Sequence, residues 1–146
     1  MLNDAQFAED ILQHSFLDVF SKLDSFRQDA SIGAWIKRIT INNCINFLKK
    51  KRLEFTELQD FHTGLDDTDH QYSEPALNVA NIQKAIYQLP EGYRVVFSLY
   101  AIEGYDHEEI SNILGVSEAT SKSQYSRAKS KLREILGSPQ RLYSAT

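Results

Sequence analysis

His107-Glu108-Glu109-Ile110-Ser111-Asn112-Ile113-Leu114-Gly115-Val116-Ser117-Glu118 is the stretch on which the reading of this chain turns. Ile110, Ile113 and Leu114 recur at the spacing that places them on one face of a short helix. Gly115 stands where that helix must stop with positive φ, a conformation that costs glycine least. Val116 is expected to plug the corner. Ser117 offers an N-cap oxygen to a second helix, and Glu118 a negative charge in its first turn, where the helix dipole favours one. That helix is predicted over Glu118–Leu136. Tyr125, Ala128, Leu132 and Ile135 form its apolar stripe, and Lys122, Ser123, Gln124, Arg127, Lys129, Lys131 and Arg133 give it donors. Stop, cap and basic face at this spacing predict a helix-turn-helix whose second helix enters a DNA groove. A plain Lys-rich surface helix needs none of the three together.

The residues just upstream complete a domain. A helix from about Ala76 to Gln88 turns Leu77, Ile82, Ala85, Ile86 and Leu89 inward. Leu89-Pro90-Glu91-Gly92 reads as a turn. Tyr93–Ile102, with Val95, Val96, Phe97, Leu99 and Tyr100, reads as a strongly apolar helix, and Asp106 can cap the one that follows. Residues 76–137 are therefore expected to form a four-helix domain, with 138–146 as a tail.

The other end of the chain is also helical. Phe7, Ile11, Leu12, Phe16, Val19, Phe20 and Leu23 recur at helical spacing over Asp4–Leu23. Asp24–Ser31 breaks the period, and Asp29 or Ser31 can cap the next helix. That helix is predicted over Ile32–Arg52, with Ile32, Trp35, Ile36, Ile39, Cys44, Phe47 and Leu48 as its apolar set. Asn42, Asn43 and Asn46 lie inside it although Asn is a poor helix former. Presenting amides to bases is one reason for them, and a solvated outer face is the other. Lys49-Lys50-Lys51-Arg52 ends the helix with a run able to follow a phosphate backbone. Two helices are too few for a closed core. The apolar stripe of Asp4–Leu23 is too wide for one partner, so a further helix, about 25–40 residues long with its connection, is expected upstream.

Charge is distributed unevenly. The chain of 146 residues is 42% hydrophobic and 25% charged, with net charge −4. Yet residues 1–53 carry +2 and residues 77–146 carry +1, while residues 54–76 hold seven acids and no base. The acidic excess belongs to a linker over residues 54–75, and the flanking lobes remain free to meet phosphate. No run of about twenty apolar residues predicts a membrane span. No signal peptide is visible, so the expected location is cytoplasmic. Cys44 is alone, which excludes an internal disulfide and favours a buried thiol. His62, Asp66 and His70 in the linker are a weak metal-ligand set without cysteine support. Neither a nucleophilic triad nor a Gly-rich phosphate loop is present. No metal, cofactor or enzymatic activity is expected. The fold class is all-α: two small helical domains joined by an acidic flexible linker.

Two blocks of sequence carry a family resemblance. Ala8-Glu9-Asp10-Ile11 through Gln13 and Phe16, then Leu23-Asp24-Ser25-Phe26-Arg27, Asp29, Ser31 and Trp35-Ile36-Lys37-Arg38-Ile39, resembles region 2 of extracytoplasmic-function (ECF) sigma factors of the sigma-70 family. Leu89-Pro90-Glu91-Gly92-Tyr93-Arg94, Glu103-Gly104-Tyr105, Glu108-Glu109-Ile110, Leu114-Gly115-Val116 and Ser126-Arg127-Ala128 resembles their region 4. The resemblance implies a bacterial transcription initiation factor that binds core RNA polymerase and promoter DNA, and that an anti-sigma factor can hold. It implies that Asp10, Gln13 and Phe16 meet the polymerase. Arg38, Asn42, Asn46, Lys49 and Lys50 would bind and open the minus-ten element. Thr120, Lys122, Ser123, Gln124 and Arg127 would read the minus-thirty-five element. The sequence departs from the family pattern at Ser121, where Val or Ile is usual, so weaker or rotated inner packing of the recognition helix is expected. It also departs at Ala119, a frequent Gly, and at His14, a frequent acid. The rival readings are a sigma-like polymerase-interaction module that does not open promoters, and another helix-turn-helix regulator.

Overall fold

The computed structural model describes residues 1–54 and 78–137, which fall into two compact units. Among the described residues every regular element is helical.

The N-terminal unit is a pair of antiparallel helices. Helix α1 spans Ala5–Lys22, capped by Asp4, whose carboxylate accepts from the Gln6 and Phe7 amides. A single 3-10 turn follows over Leu23–Ser25, inside the stretch predicted as loop. Helix α2 spans Ile32–Glu54. Of the two predicted caps it uses Ser31, whose hydroxyl accepts from the Ala34 amide at 3.2 Å.

Pairing of the two helices is fixed at both ends. Phe7 near the start of α1 packs on Phe47 near the end of α2, with ring centroids 5.0 Å apart. Between them Val19, Ile41, Ile45 and Leu48 are buried. At the connection Phe26 packs on Trp35 at 5.1 Å. The expected apolar set of α2 needs correction here. Ile41 and Ile45, absent from that set, are its most buried members, while Ile32 is exposed. A long helix packed on one short partner need not keep one stripe: its first turns lean on the connection and its later turns on α1.

The C-terminal unit contains four α-helices. Helix α3 (Val79–Tyr87) starts at an Asn78 cap, later than predicted; Leu77 lies outside the described residues. Helix α4 (Glu91–Phe97) begins inside the expected turn, because Pro90 sits at its N-cap and fixes the entry. It does not run unbroken to Ile102. Ser98–Ile102 is a π-helical turn, closed by the Glu103 amide donating to the Ser98 carbonyl at 3.0 Å. Gly104, at φ 79°, then redirects the chain.

Helices α5 (His107–Leu114) and α6 (Glu118–Leu136) have the predicted bounds. Ala85, Leu89, Ala128, Leu132 and Ile135 form a buried cluster, with Ile86, Tyr93, Phe97 and Leu136 packed against it. Val95, Val96, Leu99 and Ile110 are buried as well. Each large apolar side chain taken fully out of water contributes about 1.5–3 kcal/mol, so this unit has a core of its own.

Arg94 is buried on the edge of that core. Its Nη1 donates to the carbonyls of Leu89 at 2.8 Å and Tyr87 at 3.3 Å, which ties the α3–α4 turn to α4. Burial lowers its affinity for the proton, and Glu91 opposes the shift.

Candidate nucleic-acid interface

The presentation of α6 is set by its first turn and the turn before it. Asp106 and Glu109 form a reciprocal capping box at the start of α5. Gly115 ends α5 at φ 69°, ψ 35°, and its amide donates to the Ser111 carbonyl. Ser117 then caps α6, its hydroxyl accepting from the Thr120 amide at 3.0 Å. Val116 does not plug the corner: it is 37% exposed.

Ser121 is fully buried on the stripe that continues through Ala128, Leu132 and Ile135. Its hydroxyl pairs with His107 Nδ1 at 2.9 Å, which joins the beginnings of α5 and α6. His107 stacks on Tyr100 at 4.5 Å, and Tyr100 packs on Tyr125 at 4.4 Å. A hydroxyl stands where the family usually has an apolar side chain, and it is satisfied by a partner rather than left orphaned. Ser121 therefore stays on the inner face, so α6 is not rotated there, and a hydrogen bond stands in for the apolar contact.

The five residues predicted to read a base sequence differ in availability. Lys122 is exposed and pairs with Glu118 at 2.6 Å. Thr120 and Ser117 share a hydroxyl–hydroxyl bond of 2.8 Å. The Ser123 hydroxyl donates back to the Thr120 carbonyl, so its lone pairs are what it offers outward. Gln124 and Arg127 are half-buried rather than fully outward. Gln124 Oε1 and Arg127 Nε have no partner among the described residues. Farther along, Lys129 lies over the Tyr125 ring at 4.9 Å and Lys131 pairs with Glu134. Donor count alone therefore overstated the free positive charge of this helix.

On α2, Arg38, Asn42, Asn46 and Lys49 follow at steps of four, four and three and share one exposed face, with Lys50 exposed beside it. Asn43 does not join them. Its amide donates to Ser15 Oγ at 3.1 Å and Asp18 Oδ2 at 2.9 Å, so it fastens α2 to α1 instead of facing bases. Ser15 is buried and donates to the Ile11 carbonyl. The Asn43 bond holds the Asp18 carboxyl below its ordinary value against its desolvation, with Lys22 and His14 adding to the effect.

On α1, Asp10, Gln13 and Phe16 are all exposed; Asp10 and Gln13 lie opposite buried Ser15 and Val19, and Phe16 flanks Val19. Phe16, Phe20 and Leu12, expected on the inner stripe, are 51%, 72% and 49% exposed, and Leu17 is 68% exposed. Periodicity did not single out Leu17, because it breaks the stripe. Burial holds the Cys44 thiol above its usual range. The described residues contain no cluster able to hold a metal ion, and the linker set His62, Asp66 and His70 lies outside them. No helix among them is long and apolar enough to cross a membrane.

These two units match known families in the same order along the chain. Residues 1–54 match the family described as Sigma-70 region 2, and residues 80–132 match the one described as Sigma-70, region 4. The chain belongs to the sigma-70 family. Its relatives include sigma factors of the ECF group. It is 31% identical to the ECF RNA polymerase sigma factor SigM of Mycobacterium tuberculosis over 131 residues, which is 89% of this chain and 64% of that one. The chain thus spans just under two thirds of the length of that relative. It is 29% identical to the RNA polymerase sigma factor SigZ of Bacillus subtilis, over 92% of this chain and 76% of SigZ. Among solved structures, the sigma factor RpoE of Bartonella quintana, in complex with the anti-sigma factor NepR, superposes with a TM-score of 0.60 at 26% identity. That match covers 94% of this chain and 86% of RpoE. CnrH, in complex with the cytosolic domain of CnrY, shares the all-α fold at a TM-score of 0.51 and 24% identity, over 91% of this chain and 73% of CnrH.

Proposed function

We propose that this sigma-70 family member is a non-enzymatic transcription initiation factor. It binds core RNA polymerase in the cytoplasm and directs it to promoters. The observation that carries the reading is the order of the two units: a region 2 match with an exposed Arg38–Asn42–Asn46–Lys49 face, then a region 4 match that presents α6. In this reading Asp10, Gln13 and Phe16 dock on the polymerase, and exposed Leu17 extends that face.

Arg38, Asn42, Asn46, Lys49 and Lys50 engage the minus-ten element and hold it open. Lysine and arginine supply sequence-independent phosphate affinity, and the asparagine amides match the donor–acceptor edges of unpaired bases. Helix α6 enters the major groove at the minus-thirty-five element with Thr120, Lys122, Ser123, Gln124 and Arg127. Gln124 Oε1 and Arg127 Nε are buried without partners among the described residues, so in this reading both half-buried side chains swing outward to meet the base edges. An anti-sigma factor is a further proposed partner, since the similar RpoE is bound by the anti-sigma factor NepR.

Run-off transcription from a cognate promoter by core polymerase, with and without the chain, tests the reading directly. Product that does not depend on the chain sinks it. Arg127→Ala is expected to weaken promoter selection by about 1–3 kcal/mol. Asn42→Ala is expected to reduce permanganate reactivity of promoter thymines more than closed-complex binding. Equal loss of both would move Asn42 to general docking.

A further inference from the structure

The first turns of α6 carry an exposed acid as well as donors. Glu118 Oε1 and Lys122 Nζ are 2.6 Å apart, with the two side chains 51% and 60% exposed respectively. Nearby hydroxyls are committed locally: Thr120 to Ser117, and Ser123 to the Thr120 carbonyl. The charged chemistry facing outward at this end of the helix is an acceptor and a donor side by side, together nearly neutral. A neutralised lysine is a poor phosphate ligand, because phosphate affinity comes from uncompensated positive charge. The same pair is well made for the edge of a base pair.

Cytosine N4 and guanine O6 hydrogen-bond to each other, so they lie about 2.9 Å apart in the major groove. A carboxylate and an ammonium at matching separation close a four-group ring with them. The carboxylate accepts from N4, and the ammonium donates to O6 and onward to guanine N7. A T·A pair also sets an acceptor, O4, beside a donor, N6. There, however, adenine N7 presents a second acceptor to the carboxylate, and the thymine methyl faces the ammonium. G·C is the pair without opposition.

We infer that Glu118 is a specificity-determining residue: the Glu118–Lys122 pair reads one G·C base pair of the promoter, cytosine by the carboxylate and guanine by the ammonium. This rests on α6 being the helix that enters the minus-thirty-five element. Glu118 has a second effect. It keeps Lys122 from holding arbitrary DNA, since a carboxylate beside phosphate is repelled, so the pair trades indiscriminate affinity for sequence selection.

The test is selection from a promoter library randomised through the minus-thirty-five element, using the full chain assembled with core polymerase. Wild type, Glu118→Gln and Lys122→Met are compared. Both side chains are exposed, and circular dichroism is used to check that the variants keep their helices. Wild type is expected to enrich G·C at one position. Each variant is expected to lose that preference by about tenfold or more while the other positions keep theirs. Glu118→Gln is also expected to bind non-promoter DNA more tightly, with a salt dependence steeper by about one phosphate contact. Unchanged preferences in both variants, or an altered preference for an A·T pair instead, overturn the inference and leave the helix assignment standing. No selection by wild type anywhere in the element overturns the assignment of α6, and the inference with it.

Discussion

The two units of this molecule handle apolar surface in opposite ways. In the C-terminal unit four helices enclose Leu89, Leu99, Ile110, Ala128 and Ile135, each at most 2% exposed. In the N-terminal unit α1 and the turn after it leave Leu12, Phe16, Leu17, Phe20 and Leu23 between 45% and 72% exposed. Two helices bury one strip between them and leave every other face to solvent. A contiguous exposed apolar face of this kind marks an interaction surface. The difference teaches that one unit is stabilised mainly by apolar packing. The other relies on a narrow seam and a polar clasp, with Asn43 holding Ser15 and Asp18.

The sharpest way to break this contrast is to empty the closed core. Leu89→Ala is expected to cost about 2–5 kcal/mol, through lost transfer energy and a cavity. Far-ultraviolet circular dichroism during urea unfolding measures the loss. Trp35 is the only tryptophan and belongs to the N-terminal unit, so its fluorescence reports that unit separately. Equal shifts of both signals would mean that the two units unfold as one.

Next in size is the turn. Gly115→Ala meets no atom within 4 Å, so its cost comes from φ 69° alone and is expected near 1–2 kcal/mol, about what the left-handed region costs an L-residue. A thermal midpoint unchanged by this substitution would show that the turn relaxes to another conformation.

In the N-terminal unit the clasp sets the acid response. Asp18 titrates lower when folded than when unfolded, so its contribution is present above the ordinary carboxylate value, 3.8, and is lost as pH falls through the lower folded value. Asn43→Ala should return Asp18 toward its ordinary value and flatten stability against pH in that range. Carboxyl carbon shifts followed by nuclear magnetic resonance give the titration. An Asp18 that still titrates low would assign the effect to Lys22 and His14.

The smallest effect is expected where the seam is open. Phe20→Ser, at a position 72% exposed, should change stability by less than about 0.5 kcal/mol. A loss several times larger in the Trp35 transition would show that the α1 face is covered in solution.

Local chemistry by itself determined a good part of this protein. The bounds of α5 and α6 follow from Asp106, Gly115 and Ser117, because caps and left-handed stops act on the amides and carbonyls of their own turn. The all-α class and the two helical blocks follow from apolar periodicity in the same way. The family resemblance came from short motifs at those same turns and helix faces.

What only the tertiary structure decided concerns which side of a helix looks where. Ile41 and Ile45 are inside and Ile32 is outside because α1 covers only part of α2, which spacing does not state. Three neighbouring asparagines have different surroundings, Asn43 turned to Asp18 and Asn42 and Asn46 to solvent, because a helix turns about 100° per residue, which separates Asn43 from Asn42 and brings Asn46 back beside Asn42. Val116 faces solvent, while His107 reaches Ser121, fourteen residues away, with a hydrogen bond and stacks on Tyr100. The π-helical turn at Ser98–Ile102 likewise has no strong local breaker before Gly104. The pairing of Glu118 with Lys122 was allowed by their spacing, but its exposure beside locally occupied hydroxyls came from the packing of α6. Contacts between distant residues are selected by the shape of the whole core, and no window of sequence contains that shape.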